Sequence, residues 1–260
     1  MKRVLGTAVL FGLFSVRAAD IPYYGEMTNE YQRERCQLEI KTSDGATNLP
    51  VLIFFHGGGL SGGKKHFPKM NFSNLVVVTA GYRLSPKVTY PVFIQDAAAA
   101  TTWVLKNIGN YGGDPKRVYI SGHSAGGYLA AMVGMDPQWL QANGVSNLEL
   151  AGIIPISGQM TTHFNVKKML GDRGPMYRPL ITPEAPLYHC SSNLPPVCLI
   201  TGDRKIEWKC RVEENQLLAV SLKAVGCPRV EFHEVPKENH GSIGTAAMPI
   251  VRKFIGLDVE

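Results

Sequence analysis

Six short runs of apolar and β-branched residues punctuate this 260-residue chain, with helical patterns filling the intervals. The runs cover 50–55, 75–80, 117–122, 150–157, 196–202 and 229–235. Most are apolar at consecutive positions, as expected of strands covered on both faces. Between them, Asp96 reads as the cap of a helix over 97–108, and Ser124 starts a helical run to about Gly134. Two further helices are expected over 212–224 and 246–255. Strand and helix in alternation predict an α/β domain: a mostly parallel central sheet, right-handed crossovers and helices on both faces. Hydrophobic residues make up 45% of the chain and charged residues 18%, which excludes a disordered or coiled-coil protein.

The sharpest chemical signal is Gly122-His123-Ser124-Ala125-Gly126, directly after the third run and before a helix. A strand that turns this abruptly into a helix leaves its central serine strained, with the hydroxyl at the tip, and needs small residues on either side. The helix N-terminus adds oriented N–H groups beside any developing negative charge. Upstream, His56-Gly57-Gly58-Gly59 follows the first run. A glycine turn lets backbone N–H groups approach the carbonyl oxygen that becomes negative during acyl transfer, and losing one such donor costs about 3–4 kcal/mol. The N–H groups of Gly58, Gly59 and Ala125 are therefore assigned to an oxyanion hole. A phosphate-binding reading fails, because Gly62-Gly63-Lys64 lacks the G-K-[ST] ending. His240, in Asn239-His240-Gly241 just after the last strand, is the histidine best placed to serve as base. A loop there lies at the carboxyl edge of a parallel sheet, where the serine also points.

The N-terminus reads separately. Lys2 and Arg3 precede a mostly apolar stretch over 4–16, and small residues follow at Ala18 and Ala19. This pattern predicts a signal peptide over 1–18, export to the periplasm or the extracellular space, and a single domain over 19–260. The apolar stretch is too short to span a bilayer comfortably, so no stable membrane insertion is expected after cleavage. Removing 1–18 lowers the formal charge from +6 to +3, with 24 basic against 21 acidic residues left. No basic cluster marks a nucleic-acid surface. Five cysteines in an oxidising compartment permit disulfides, a Cys190–Cys198 bridge among them, but the odd number leaves at least one thiol over. No pair has the spacing of a zinc motif. The long stretch over 158–192 is either a lid or insertion on the substrate side, or a structural excursion with a short helix.

Taken together, these motifs resemble an α/β-hydrolase of the hormone-sensitive-lipase-like and carbohydrate-esterase-like branch, close to feruloyl and acetyl esterases. The resemblance rests on the two glycine motifs, Tyr82-Arg83-Leu84-Ser85-Pro86, Asp96-Ala97-Ala98-Ala99-Ala100, Gly112-Gly113-Asp114-Pro115 and Asn239-His240-Gly241. It implies an α/β-hydrolase fold with Ser124 as nucleophile and His240 as base, and no metal or organic cofactor. It also implies that Asp96 and Asp114 are cap and turn residues. In that family the acid lies about three residues after the glycine ending the penultimate strand. Here that glycine is Gly202 and the expected position holds Lys205, flanked by Asp203 and Glu207. Asp203, nearer the strand end, is chosen as the acid, and Glu207 is the alternative. The implied activity is cleavage of carboxylic esters through an acyl-enzyme, with a small-molecule or polysaccharide-linked ester as substrate, an acetyl or feruloyl group on carbohydrate. The alternatives are an amide or peptide hydrolase on the same fold, or a carbohydrate-binding pseudoenzyme weakened by Lys205.

Overall fold

The structure is a computed structural model that describes residues 14–43 and 45–258. Its strands are β1 (Phe14–Pro22), β2 (Gln37–Ser43), β3 (Leu49–Phe55), β4 (Val76–Ala80), β5 (Gly113–His123), β6 (Gly152–Ile156), β7 (Val197–Thr201) and β8 (Val230–Glu234). They form one sheet in the order β1-β2-β4-β3-β5-β6-β7-β8. β2 pairs antiparallel with both β1 and β4, and every other pairing is parallel. The α-helices are α1 (Glu30–Arg35), α2 (Val92–Asn107), α3 (Ala125–Met135), α4 (Gln138–Gln141), α5 (Phe164–Met169), α6 (Arg211–Ala224), α7 (Ile243–Ala246) and α8 (Met248–Ile255).

The consecutive apolar residues have a direct explanation. On β3, Val51, Ile53 and Phe55 enter one core with α2, α3 and α6, while Leu52 and Phe54 enter a second core with α7 and α8. β4 divides in the same way, with Val76 and Val78 on one side and Val77 on the other. Each such side chain contributes about 1.5–3 kcal/mol by leaving water. Both cores need the inner strands, which fixes β3, β4 and β5 at the centre and sets the serine turn at the end of β5.

Four expectations need restating. The helix read as starting after Asp96 begins at Val92, so Asp96 lies inside α2 and caps nothing. Its buried carboxylate instead accepts hydrogen bonds from Arg83 Nε and Nη2 at 2.9 and 2.6 Å, Arg83 N–H at 2.9 Å and the Tyr24 hydroxyl at 2.8 Å. The cysteines are all free thiols. Cys190 and Cys198 are not bridged: Cys198 is buried in β7, and Cys190 follows the short helical turn Pro186–His189. The stretch over 158–192 contains α5, and Thr161, Thr162, His163 and Lys167 are buried in it. Lys167 Nζ donates to the carbonyls of Met176 and Arg178 at 3.0 and 2.6 Å, tying the stretch to itself. The expected signal peptide lies largely outside the described residues. Its expected cleavage point falls within β1, and a cut there leaves Ile21 and Pro22 paired with Leu38 and Gln37.

Candidate active site

Ser124 stands between β5 and α3 with φ 57° and ψ −117°, a left-handed conformation that a side chain adopts only under strain. The packing around it leaves no relaxed alternative. Ser124 N–H donates to Ile156 O at 2.9 Å, which ties the turn to β6. A Cβ on Gly126 would overlap the Phe55 carbonyl, and one on Gly122 would lie 2.5 Å from the Gly126 carbonyl. The glycines are thus required by contact between the turn and the end of β3.

The His56–Gly59 turn lies against the same point. A Cβ on Gly57 would sit 3.3 Å from the Ser124 Cβ. Gly58 and Gly59 take φ 115° and 62°, and Gly58 O accepts from the N–H groups of Ser61 and Gly62. Among the described residues, no protein acceptor takes the N–H groups of Gly58, Gly59 or Ala125. His56 anchors the turn: its ring stacks on Tyr82 with centroids 4.4 Å apart, and the Tyr82 hydroxyl donates to His56 O at 2.7 Å. Burial, aided by the charge of Arg35, lowers the His56 imidazole to about 4 against a hydrogen bond to Gly57 O, so it is neutral at pH 7.

His240 reaches the serine from the loop after β8. Its Nε2 lies 2.9 Å from Ser124 Oγ, and its Nδ1 lies 2.6 Å from Glu207 Oε1. The acid expectation is therefore corrected: the carboxylate against His240 belongs to Glu207, not to Asp203. The cause is a helical turn. Asp203 O accepts from Glu207 N–H at 2.8 Å, coiling the loop so that Glu207 returns beneath the strand end. There Ser157 Oγ and Gly202 N–H donate to Glu207 Oε2, and Trp208 N–H donates to Oε1 at 2.7 Å. Asp203 faces outward and stitches the loops together. It accepts from Lys205 and Lys237 N–H at 3.0 and 2.9 Å, and its own N–H donates to Glu238 O. Those two backbone bonds hold the Asp203 carboxyl below its ordinary range.

The electrostatics of Glu207 follow from this setting. Burial alone would raise its carboxyl, but hydrogen bonds from His240, Trp208 N–H and Ser157 outweigh that and bring it to about 2. Its side chain is 0% exposed, so an ionised carboxylate is kept beside the imidazole, out of water. Two further groups steady His240. Trp208 stacks on its ring at 4.1 Å and 15°, and His123 Nε2 lies 2.7 Å from the His240 carbonyl. Burial, with the nearby His240, lowers His123 to about 4, so a neutral ring donates that bond. Neither role was visible in sequence, where His123 reads only as a motif residue. Beside the glycine turn, α5 brings Phe164 and Asn165 against Gly59, and Asn165 Nδ2 donates to Gly59 O. A cleft of ≈ 620 Å³ opens there, lined by Phe164, Asn165, Lys168, Arg173 and Met176.

"Carboxylesterase NlhH" of Mycobacterium tuberculosis is 41% identical over 92 residues, covering 33% of this chain and 29% of that protein. "Esterase LipC" of the same organism is 26% identical over 214 residues, covering 74% and 53%. The chain thus spans 29% to 53% of the length of these relatives. A solved structure described as a truncated form of carbohydrate esterase from gut microbiota superposes with a TM-score of 0.75 at 17% identity, over 94% of this chain and 96% of that one. That likeness, with the strand order above, makes this an α/β-hydrolase fold. A family model described as BD-FAE matches residues 38–209, a span from β2 through the loop that carries Glu207. Because that match takes in well over half of the sequence, the chain belongs to the BD-FAE family.

Proposed function

We propose that this protein is a serine esterase that hydrolyses carboxylic esters through an acyl-enzyme. The observation that carries the reading is the unbroken hydrogen-bond chain Ser124 Oγ–His240–Glu207, at 2.9 and 2.6 Å. His240 Nε2 takes the serine proton as Oγ attacks the ester carbonyl. Buried Glu207 stabilises the imidazolium that forms and holds its tautomer. The free N–H groups of Gly58, Gly59 and Ala125 receive the oxyanion. Protonated His240 then releases the alcohol, and water repeats the sequence to free the acid. No step calls for a metal or organic cofactor.

For the substrate, we favour an acetyl or feruloyl ester borne on a carbohydrate. The family membership and the carbohydrate esterase among the structural neighbours support this. We further infer export, on the basic start and short apolar stretch of the N-terminus. No helix among the described residues is long and apolar enough to cross a membrane. The pseudoenzyme alternative rested on Lys205, and with Glu207 against His240 that support falls away.

Ser124→Ala, assayed on a nitrophenyl acetate, is expected to lose about 10⁶ in turnover while remaining folded. A fluorophosphonate is expected to label the wild type and not the variant. Faster turnover of an aminoacyl anilide than of the nitrophenyl ester would move the reading to an amide hydrolase, and unchanged ester turnover in the variant would end it.

A further inference from the structure

We propose that Cys198, Glu231 and His233 form a binding site for a divalent transition metal, zinc foremost, at the β7–β8 edge of the sheet. β7 and β8 pair in parallel with Cys198 opposite Glu231 and Ile200 opposite His233. Side chains two residues apart share a face, so all three ligand-type residues converge on one side. One donor atom from each, a thiol sulfur, a carboxylate oxygen and a ring nitrogen, lies within 4.8 Å of the other two. Donors around a tetrahedral zinc stand about 3.5 Å apart, at bond lengths of about 2.0–2.3 Å. The closure needed is small, and the half-exposed His233 side chain can supply it.

The chemistry of the set is selective. One sulfur, one nitrogen and one oxygen suit zinc and its borderline neighbours and not magnesium or calcium, which prefer oxygen alone. Zinc takes the thiolate, so binding expels the Cys198 proton to solvent; thiolate and carboxylate then face the dication, and the Arg229 guanidinium on Glu231 leaves the site with residual positive charge. A supporting shell is already in place. Arg229 Nη2 donates to Glu231 Oε1 at 2.8 Å while Oε2 lies 3.1 Å from His233 Nε2, leaving the carboxylate aimed at the cluster. Arg229 is itself fixed over the Phe254 ring of α8 at 4.0 Å. Such outer contacts orient ligands and tune metal affinity.

The site is separate from the triad. Cys198 is near the start of β7, and Gly202 follows its end, roughly 13 Å further along. A metal there would clip the terminal strand β8, which has no neighbour on its other side among the described residues, to the body of the sheet. The spacing hides the site from sequence, because the thiol is on one strand and its partners on the next, beyond α6.

The test is calorimetric titration of the chelator-treated full chain with zinc alone. One zinc per chain is expected, bound at least ~10-fold more weakly by Cys198→Val and by His233→Ala. Cobalt should give a thiolate charge-transfer band in the wild type that is absent from Cys198→Val. Zinc should raise the melting temperature of the wild type and leave that of His233→Ala unmoved, with turnover at Ser124 the same in both. If Cys198→Val does not fold, His233→Ala and the wild-type cobalt spectrum decide. Folded wild type that takes up no zinc, or His233→Ala that binds it as tightly, overturns the proposal.

Discussion

The two halves of the candidate site are built in opposite ways. On the serine side, the glycine turn after β3 and the turn after β5 press backbone against backbone, with little room for a side chain at Gly122 or Gly126. On the acid side, the loop over 203–210 is largely exposed: Glu207 turns inward to Ser157 and His240, and Trp208 lays its ring over His240. The first half is specified by steric exclusion, which names a residue type at each position. The second is specified by reach, which several carboxylates along a coiled loop can satisfy. Residue identity is therefore dictated on one side and negotiable on the other.

The largest contrast to test is on the acid side. Glu207→Gln is expected to lower kcat on a nitrophenyl ester by about 10⁴, while Asp203→Asn stays within about tenfold of wild type. Equal losses in both would erase the distinction between a triad acid and a loop stitch. Next comes the backbone contrast. Gly126→Ala is expected to destabilise by more than about 4 kcal/mol, because the Phe55 carbonyl occupies the space a Cβ needs. Gly241→Ala, in the histidine loop, meets nothing nearer than Asn239 Oδ1 at 3.4 Å and is expected to cost under about 1 kcal/mol. Urea unfolding of the two variants measures both. Similar values would mean that the serine side is no more constrained than the histidine loop.

How much of this was legible in the sequence follows from the same contrast. Ser124, the glycine turn and His240 sit at strand ends where sterics and sheet direction leave few choices, so their spacing could be read. Six of the eight strands among the described residues are legible: burial on both faces makes β3, β4, β6 and β7 apolar almost throughout, while β5 and β8 show only part of that signal. β2 was missed, since only Leu38, Ile40 and Thr42 point inward and its polar half resembles a loop. A lone acid near a helix start looks like a cap, whereas the partner of Asp96, Arg83, lies thirteen positions upstream in the loop between β4 and α2. Proximity to the strand end favours Asp203, but the loop coils, and the carboxylate four residues later, Glu207, is the one that returns.

Two smaller effects sharpen the comparison. Trp208→Ala removes the ring over His240 and is expected to lower kcat/KM by about tenfold with little change in stability. An effect on stability alone would make Trp208 a packing residue. The second concerns acid. The Glu207 carboxyl is lowered to about 2 from an ordinary 4.5, so its ionised form stabilises the fold fully above about pH 4.5 and loses that contribution as the pH falls toward 2. Glu207→Gln should remove that part of the acid sensitivity, read from melting temperatures across this range. A variant whose stability falls as steeply as wild type would place the titration elsewhere.

The most direct test of which carboxylate holds His240 is the proton NMR signal of its Nδ1–H, in protein carrying ¹⁵N-labelled histidine and assigned with His240→Ala. A 2.6 Å bond to a buried carboxylate shifts that proton far downfield. The signal should persist in Asp203→Asn and vanish or move sharply upfield in Glu207→Gln. Its survival in Glu207→Gln together with its loss in Asp203→Asn would contradict the site described.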